Sequence, residues 1–264
     1  MNPLSEASVW RLENGVITPT QDVLIQETPV SLVYNGVSHI VLMATPSDLE
    51  ALALGFSLSE GIIQRASQLY DVEVFESEQG MIVNMEIATQ AFMALKHRRR
   101  NLQGRTGCGL CGIENLEAVK PAIAEITYHI DLSASAIEKA LNQFTQMQPL
   151  RESTGSVHAA AWATQEGEIT LSFEDVGRHN ALDKLIGYAM KHKIDWQQGF
   201  VVVSSRASYE MVLKSALSGV SCLVAVSAPT QFAVDLAKEA GLTLVGFARP
   251  HRQVIYNGVE HVLA

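Results

Sequence analysis

The strongest constraint on the fold lies in the second half of the chain, where stretches suited to strands and stretches suited to helices alternate. Val157 to Ala163 and Ile169 to Phe173 are apolar runs of strand length flanking Gln165-Glu166-Gly167, which suits a hairpin. An Ala181 to His192 helix, a Phe200 to Ser204 strand and a Tyr209 to Leu217 helix follow. A Leu223 to Val226 strand, a Pro229 to Ala240 helix and a Leu242 to Phe247 strand complete the run, with Phe232, Leu236 and Ala240 as the core stripe of that helix. Strands separated by helices imply a sheet with parallel crossovers and helices packed on its faces.

The first third reads as mixed α/β. Val23 to Glu27 and Ser31 to Val33 suit short strands, and Asn35-Gly36 supplies turn chemistry before the apolar run from His39 to Met43. Ser47-Asp48-Leu49-Glu50 has the spacing of a capping box, opening a helix whose Leu49, Leu52, Ala53 and Phe56 share a face and which Gly61 ends. Strands around Val72 to Phe75 and Met81 to Ile87 precede a helix ending in basic residues. Residues 101–112 hold four glycines, too much backbone entropy for a helix or strand, so this segment is predicted to be a loop. A further helix runs from about Ser133 to Met147. The predicted fold class is therefore α/β, with a mixed α/β domain over residues 1–131 that ends in this loop and a second α/β domain over residues 132–264.

The second domain places polar residues just beyond the carboxyl ends of strands. They are Glu174-Asp175 with Arg178-His179-Asn180, Ser204-Ser205-Arg206, Ser227-Pro229-Thr230, and Arg249-Pro250-His251-Arg252. Ligands of open α/β sheets bind along that edge, and helix amino termini there offer free N–H groups to anions. The four clusters are expected to converge on one anionic ligand. His158, preceding three alanines, reads as a core histidine.

A net charge of -9 argues against a general nucleic-acid binder, which needs a basic surface. Lys96, His97, Arg98, Arg99, Arg100 and Arg105 are the local exception, suited to a solvated face or to an anionic partner. No apolar run approaches the ~18 residues of a membrane span, and the first residues lack the basic and apolar regions of a signal peptide. The expected location is cytoplasmic.

Three cysteines do not make a disulfide framework. Cys222, within Cys222-Leu223-Val224-Ala225-Val226, reads as a buried strand residue. Cys108 and Cys111 sit together in the glycine-rich loop. One such pair cannot build a four-cysteine zinc site, and no histidine follows at finger spacing. A zinc deaminase needs His-x-Glu upstream, whereas His158 is followed by alanines and Gly107 precedes Cys108. A thioredoxin-type pair would open a helix after a strand. Sulfur transfer needs a thiolate on a tether that can reach two partners. The glycines supply the tether, and Arg105 with the basic block favours the thiolate.

The run Gly104-Arg105-Thr106-Gly107-Cys108-Gly109-Leu110-Cys111-Gly112 resembles the signature of the formate dehydrogenase accessory sulfurtransferases, FdhD. Further runs agree in order. They are Thr45-Pro46-Ser47-Asp48 with Ala53-Leu54-Gly55-Phe56 and Ser59-Glu60-Gly61-Ile62-Ile63, then Thr154-Gly155-Ser156-Val157-His158-Ala159-Ala160-Ala161. Glu174-Asp175-Val176-Gly177-Arg178-His179-Asn180-Ala181-Leu182-Asp183-Lys184 is the longest. Ser205-Arg206-Ala207-Ser208 with Glu210-Met211, Ser227-Ala228-Pro229-Thr230 and Leu244-Val245-Gly246-Phe247 complete a resemblance spanning residues 23–256.

The resemblance implies a sulfur carrier that takes sulfur from a cysteine desulfurase as a Cys108 persulfide. It passes that sulfur to bis(molybdopterin guanine dinucleotide), bound as substrate, for formate dehydrogenase; Cys111 is the second candidate thiol. It also implies a cofactor loop at Phe247, Ala248, Arg249, Pro250, His251 and Arg252, following the last strand, with GDP as a partial mimic. A carboxyl-terminal domain like cytidine deaminase without its metal, a homodimer, and no metal, nucleic-acid or membrane partner are implied as well. Family members commonly carry Gly where this chain has His251. Whether Asp175, His179 and Arg206 touch the ligand is open, since Asp175 and His179 equally suit a loop-bracing pair. Two other readings compete: a chaperone that escorts the cofactor without needing its thiols, and a small zinc-binding module.

Overall fold

Period-two alternation begins nearer the amino terminus than Val23. In the computed structural model, which describes residues 1–100 and 123–263, Leu4–Glu13 (β1) and Val16–Ile25 (β2) form an antiparallel ribbon. Its turn is Asn14-Gly15, with φ of 51° and 81°, the paired positive values that let a two-residue hairpin follow the strand twist. Asn35-Gly36 repeats the device between Thr28–Tyr34 (β3) and Val37–Ala44 (β4). With Leu69–Ser77 (β5) and Gly80–Ile87 (β6) these make a four-stranded sheet in the order β4-β3-β6-β5. Val30, Leu32 and Tyr34 alternate inward with Met81, Val83 and Met85. That face packs on Leu49–Ser59 (α1) and on Ala91 and Leu95 of Thr89–Arg100 (α2).

The capping box expected at α1 does not form. Asp48 is the N-cap, in the left-handed region at φ 53°, and makes no side-chain cap bond. Ser47 Oγ instead lies 3.5 Å from Lys184 Nζ. The approach to the helix is fixed from outside it: Thr45 N–H donates to Asp175 Oδ2 at 3.0 Å, and Val176 N–H donates to Thr45 Oγ1 at 3.1 Å.

The second sheet has the order β13-β12-β11-β10-β8-β9. Its strands are His158–Thr164 (β8), Ile169–Asp175 (β9), Gly199–Val203 (β10), Cys222–Ala225 (β11), Thr243–Arg249 (β12) and Arg252–Asn257 (β13). β10, β11 and β12 are parallel, as the alternation predicted, while β8, β9 and β13 add antiparallel pairings. Arg178–Lys191 (α5), Tyr209–Leu217 (α6) and Gln231–Ala240 (α7) cover one face through Leu182, Leu185, Val212 and Leu236. Leu132–Ser133 (β7) leads into Ala134–Gln146 (α3), which covers the other face through Ile137, Leu141 and Phe144. Successive strand residues therefore serve two cores, Val201 and Val203 one and Phe200 and Val202 the other. Pro149–Thr154 (α4) precedes β8, and Val262–Leu263 (β14) pairs with β7. The mixed α/β expectation holds. Among the described residues no helix is long and apolar enough to cross a membrane.

The two sheets meet through α1 and α5, which cross at glycines. A Cβ on Gly55 would lie 1.7 Å from the Asp183 carbonyl oxygen, and one on Gly187 would lie 1.9 Å from that of Ala51. Buried charges flank the crossing. Lys184 Nζ pairs with Asp175 at 2.7 Å, both side chains fully buried. Lys214 pairs with Asp183 at 3.0 Å and Glu60 at 2.9 Å, and Ser59 Oγ donates to Asp183 at 2.7 Å. Desolvation disfavours the Lys214 ammonium, but Asp183 and Glu60 outweigh it and hold the group charged.

Candidate functional site at the strand ends

β9, β10, β11 and β12 all run toward one edge of the second sheet, so the polar clusters after them do share that edge. At one end of the edge, β12 continues through Arg249, and Pro250-His251 is a tight turn into β13. This corrects the expectation that residues 247–252 form a loop beyond the last strand. Phe247, Ala248 and Arg249 belong to β12, Arg252 opens β13, and the strand Arg252–Asn257 escaped notice behind its charged start. Ala248 is buried, whereas Phe247, Arg249, Pro250, His251 and Arg252 are exposed.

The turn carries strain and unbalanced charge. Phe247 and His251 have φ of 49° and 64°, in the left-handed region that favours glycine. His251 is held there by Glu138, whose Oε1 accepts its N–H at 2.6 Å and lies 3.2 Å from Nδ1. Arg249 and Arg252 face each other across the turn, an unfavourable like-charge pairing unless an anion lies between them. Arg249 is anchored by its guanidinium donating to the Val226 and Ala248 carbonyls, the latter at 3.0 Å. Phe247 N–H donates to Ser227 O at 3.0 Å, so the ring is presented from a fixed backbone.

At the other end stand the residues around α5. Asp175 and His179 do not pair with each other, so the loop-bracing pair is corrected. Asp175 accepts from Gly177 N–H at 2.8 Å and Asn180 Nδ2 at 2.9 Å besides binding Lys184, and it is fully buried. It braces the loop without His179. His179 Nε2 lies 3.0 Å from Glu210 Oε2, and Arg178 Nη2 lies 3.9 Å from the same atom. His158 is half-buried at the start of β8 rather than enclosed in the core. Burial, with Arg178, Arg151 and His179 nearby, holds its ring below the usual histidine pKa. Arg206 is exposed after β10. Sequence reasoning did not assign Arg151 or Glu210 to the site, although Glu210 stands in a run shared with the family, because only the fold brings α4 and α6 to the start of α5.

Cys108, Cys111 and Arg105 lie outside the described residues. Lys96 of the basic block lies along α2, its Nζ 4.4 Å from the Phe92 ring. Cys222 is buried in β11, and burial pushes its thiol up to about 12. That environment suppresses the thiolate, as a strand residue without chemistry requires. A cleft of about 430 Å³ lined by Pro46, Leu49, Val74, Met81, Tyr188 and His192 shares no residue with the strand-end edge.

The chain is thus an α/β protein with a paired-arginine turn at one end of a sheet edge and a histidine–arginine cluster at the other. The chain belongs to the FdhD/NarQ family, whose model matches residues 25–263. A relative from Cupriavidus necator named Sulfur carrier protein FdhD is 51% identical over 256 residues, 96% of this chain and 88% of that protein. One of the same name from Acinetobacter baylyi is 49% identical over 237 residues, 89% of this chain and 86% of that protein. A crystal structure from Desulfotalea psychrophila, described provisionally as a formate dehydrogenase accessory protein, superimposes with a TM-score of 0.79. It covers 99% of this chain and all of its own at 23% identity, which establishes the shared fold.

Proposed function

We propose that this chain is a sulfur carrier serving formate dehydrogenase. It takes sulfur from a cysteine desulfurase as a persulfide on Cys108 and delivers it to bis(molybdopterin guanine dinucleotide), bound as substrate at the strand ends. In loading, the Cys108 thiolate attacks the outer sulfur of the desulfurase persulfide. The S–S bond breaks, and its electron pair leaves on the desulfurase cysteine. The relatives' shared name at about half identity supports the carrier role.

The observation that carries the binding part is the Arg249–Arg252 pair, opposed across a two-residue turn beside exposed Phe247. A phosphate between the guanidiniums would relieve their repulsion, and a guanine ring has an aromatic face within the same turn. The His251 N–H and Nδ1 both face Glu138, so the two arginines carry the phosphate reading. The same reading has the protein act in the cytoplasm as a homodimer.

Two measurements test it. Intact mass after incubation with a desulfurase and cysteine should show one added sulfur, lost in Cys108→Ala and reduced less by Cys111→Ala. Calorimetry with GDP should show Arg249→Ala and Arg252→Ala each weakening binding by about 1.5–3 kcal/mol, the range for a hydrogen bond to a charged group. Full activation of formate dehydrogenase by Cys108→Ala would leave the escorting chaperone as the correct reading. Zinc in the purified protein would favour the metal module.

A further inference from the structure

We propose that the amino end of α5 is a second oxyanion site of the phosphate class, built by Arg178, His179, His158 and Arg151 and separate from the Arg249–Arg252 turn. The first turn of a helix carries partial positive charge and prefers acidic side chains. α5 reverses that preference: its first turn has no acid and opens with Arg178 and His179, over an N-cap, Gly177, with no side chain to accept. Among the described residues the N–H groups of Arg178, His179 and Asn180 have no acceptor. Two further donors lie on the elements that meet here, α5 and α6. Arg178 Nε and the hydroxyl of Ser208, the N-cap of α6, are buried without a hydrogen-bond partner. Such atoms cost free energy unless something fills the gap.

The surroundings neutralise this charge only in part. Arg151 and Arg178 both act on the His158 ring, and His179 adds to them. Among the described residues Glu210 is the one carboxylate ion-paired to the cluster; it lies 3.0 Å from His179 Nε2 and 3.9 Å from Arg178 Nη2, so it offsets the charge of His179 more than that of Arg178. Glu174 is committed to the N–H groups of Leu150 and Arg151 at 2.9 and 2.8 Å, and Asp175 to Lys184. Glu174 therefore holds the start of α4, and with it Arg151, beside His158. A tetrahedral oxyanion offers several oxygens at once, matching two guanidiniums, two imidazoles and a helix terminus.

β12 and the β8–β9 pair are separated by three to four strand spacings, about 14–19 Å at ~4.8 Å each. One phosphate cannot bridge that span, so the sites are distinct.

The probe is inorganic pyrophosphate, titrated into the full chain carrying Arg249→Ala and Arg252→Ala so that the turn does not compete. Calorimetry should show saturable binding, and the imidazole NMR signals of His158 and His179 should move with it. Adding Arg178→Gln or His158→Gln should weaken binding at least tenfold. Should Arg178→Gln fail to fold by circular dichroism, His158→Gln decides alone. No saturable binding, unmoved imidazole signals, or equal affinity in a folded Gln variant would each overturn the proposal. Sulfur loading on Cys108 is a separate readout, so its failure would sink the carrier reading and leave this site standing.

Discussion

His251 sits at φ 64° with its ring almost wholly exposed, held through its backbone N–H by Glu138. The conformation, rather than the ring, sets the demand at this position. Glycine meets it without strain, consistent with the glycine expected here from the family resemblance. His251→Gly should therefore change stability by no more than about 0.5 kcal/mol, while His251→Val, β-branched, should cost about 1–2 kcal/mol. Urea denaturation of both variants checks the ordering. Asp175 poses the opposite situation, a carboxylate whose surroundings are complete. Lys184→Met should cost about 3–5 kcal/mol by stranding a buried charge. A loss under 1 kcal/mol would show water reaching the site. His158 adds a pH dependence. Its folded pKa is depressed, so the stability it contributes is whole above the unfolded value of ~6.5 and is lost as pH falls through the folded one. The urea midpoint should drop between about pH 7.5 and about pH 5.5, either side of that ~6.5. His158→Gln should shrink the drop, leaving a remainder from His129, whose pKa burial and His261 also lower. An unchanged drop would assign the effect elsewhere.

At the scale of elements, the α1–α5 crossing is the tightest constraint. Backbone carbonyls stand where the Cβ atoms of Gly55 and Gly187 would be, and carbonyls in a helix cannot step aside as side chains do. Gly187→Ala should cost about 3 kcal/mol, at the upper end for overpacking, because the helices must separate. Chemical denaturation measures it, and a neutral result would mean that the helices slide freely. Elements differ in how openly the sequence announces them. The β10–α6–β11–α7–β12 alternation is legible because each piece has its own period and length. β1 and β2 were equally open to view, since Asn14-Gly15 between alternating residues is the signal already recognised at Asn35-Gly36. β13 was hidden because Arg252-Gln253 opens it with charge. The box at Ser47–Glu50 was misread for another reason: its hydrogen bonds are local, and partners more than 100 residues away overrule them.

For the molecule as a whole, the site was half legible. The edge on which it lies followed from topology, and Arg249 and Arg252 from the family resemblance, though as a loop rather than as the turn between β12 and β13. The union of Arg151, His158, Arg178 and Glu210 could not be read along the chain, since it depends on how α4, β8, α5 and α6 pack. A net charge of -9 with cations concentrated on one edge makes binding there sensitive to salt. GDP affinity should accordingly fall as ionic strength rises beyond about 0.15 M, where screening shortens to ~8 Å. Affinity indifferent to salt would imply recognition by stacking alone. Cys222 has a use of a different kind. Its side chain is buried in the core on the α3 face of the sheet, and it opens to reagents only when that core comes apart. In a chain carrying Cys108→Ala and Cys111→Ala it is the sole thiol, so its rate of labelling becomes a clock for global opening. Ligands bound at either end of the edge should slow that clock, which turns a silent residue into a reporter of occupancy.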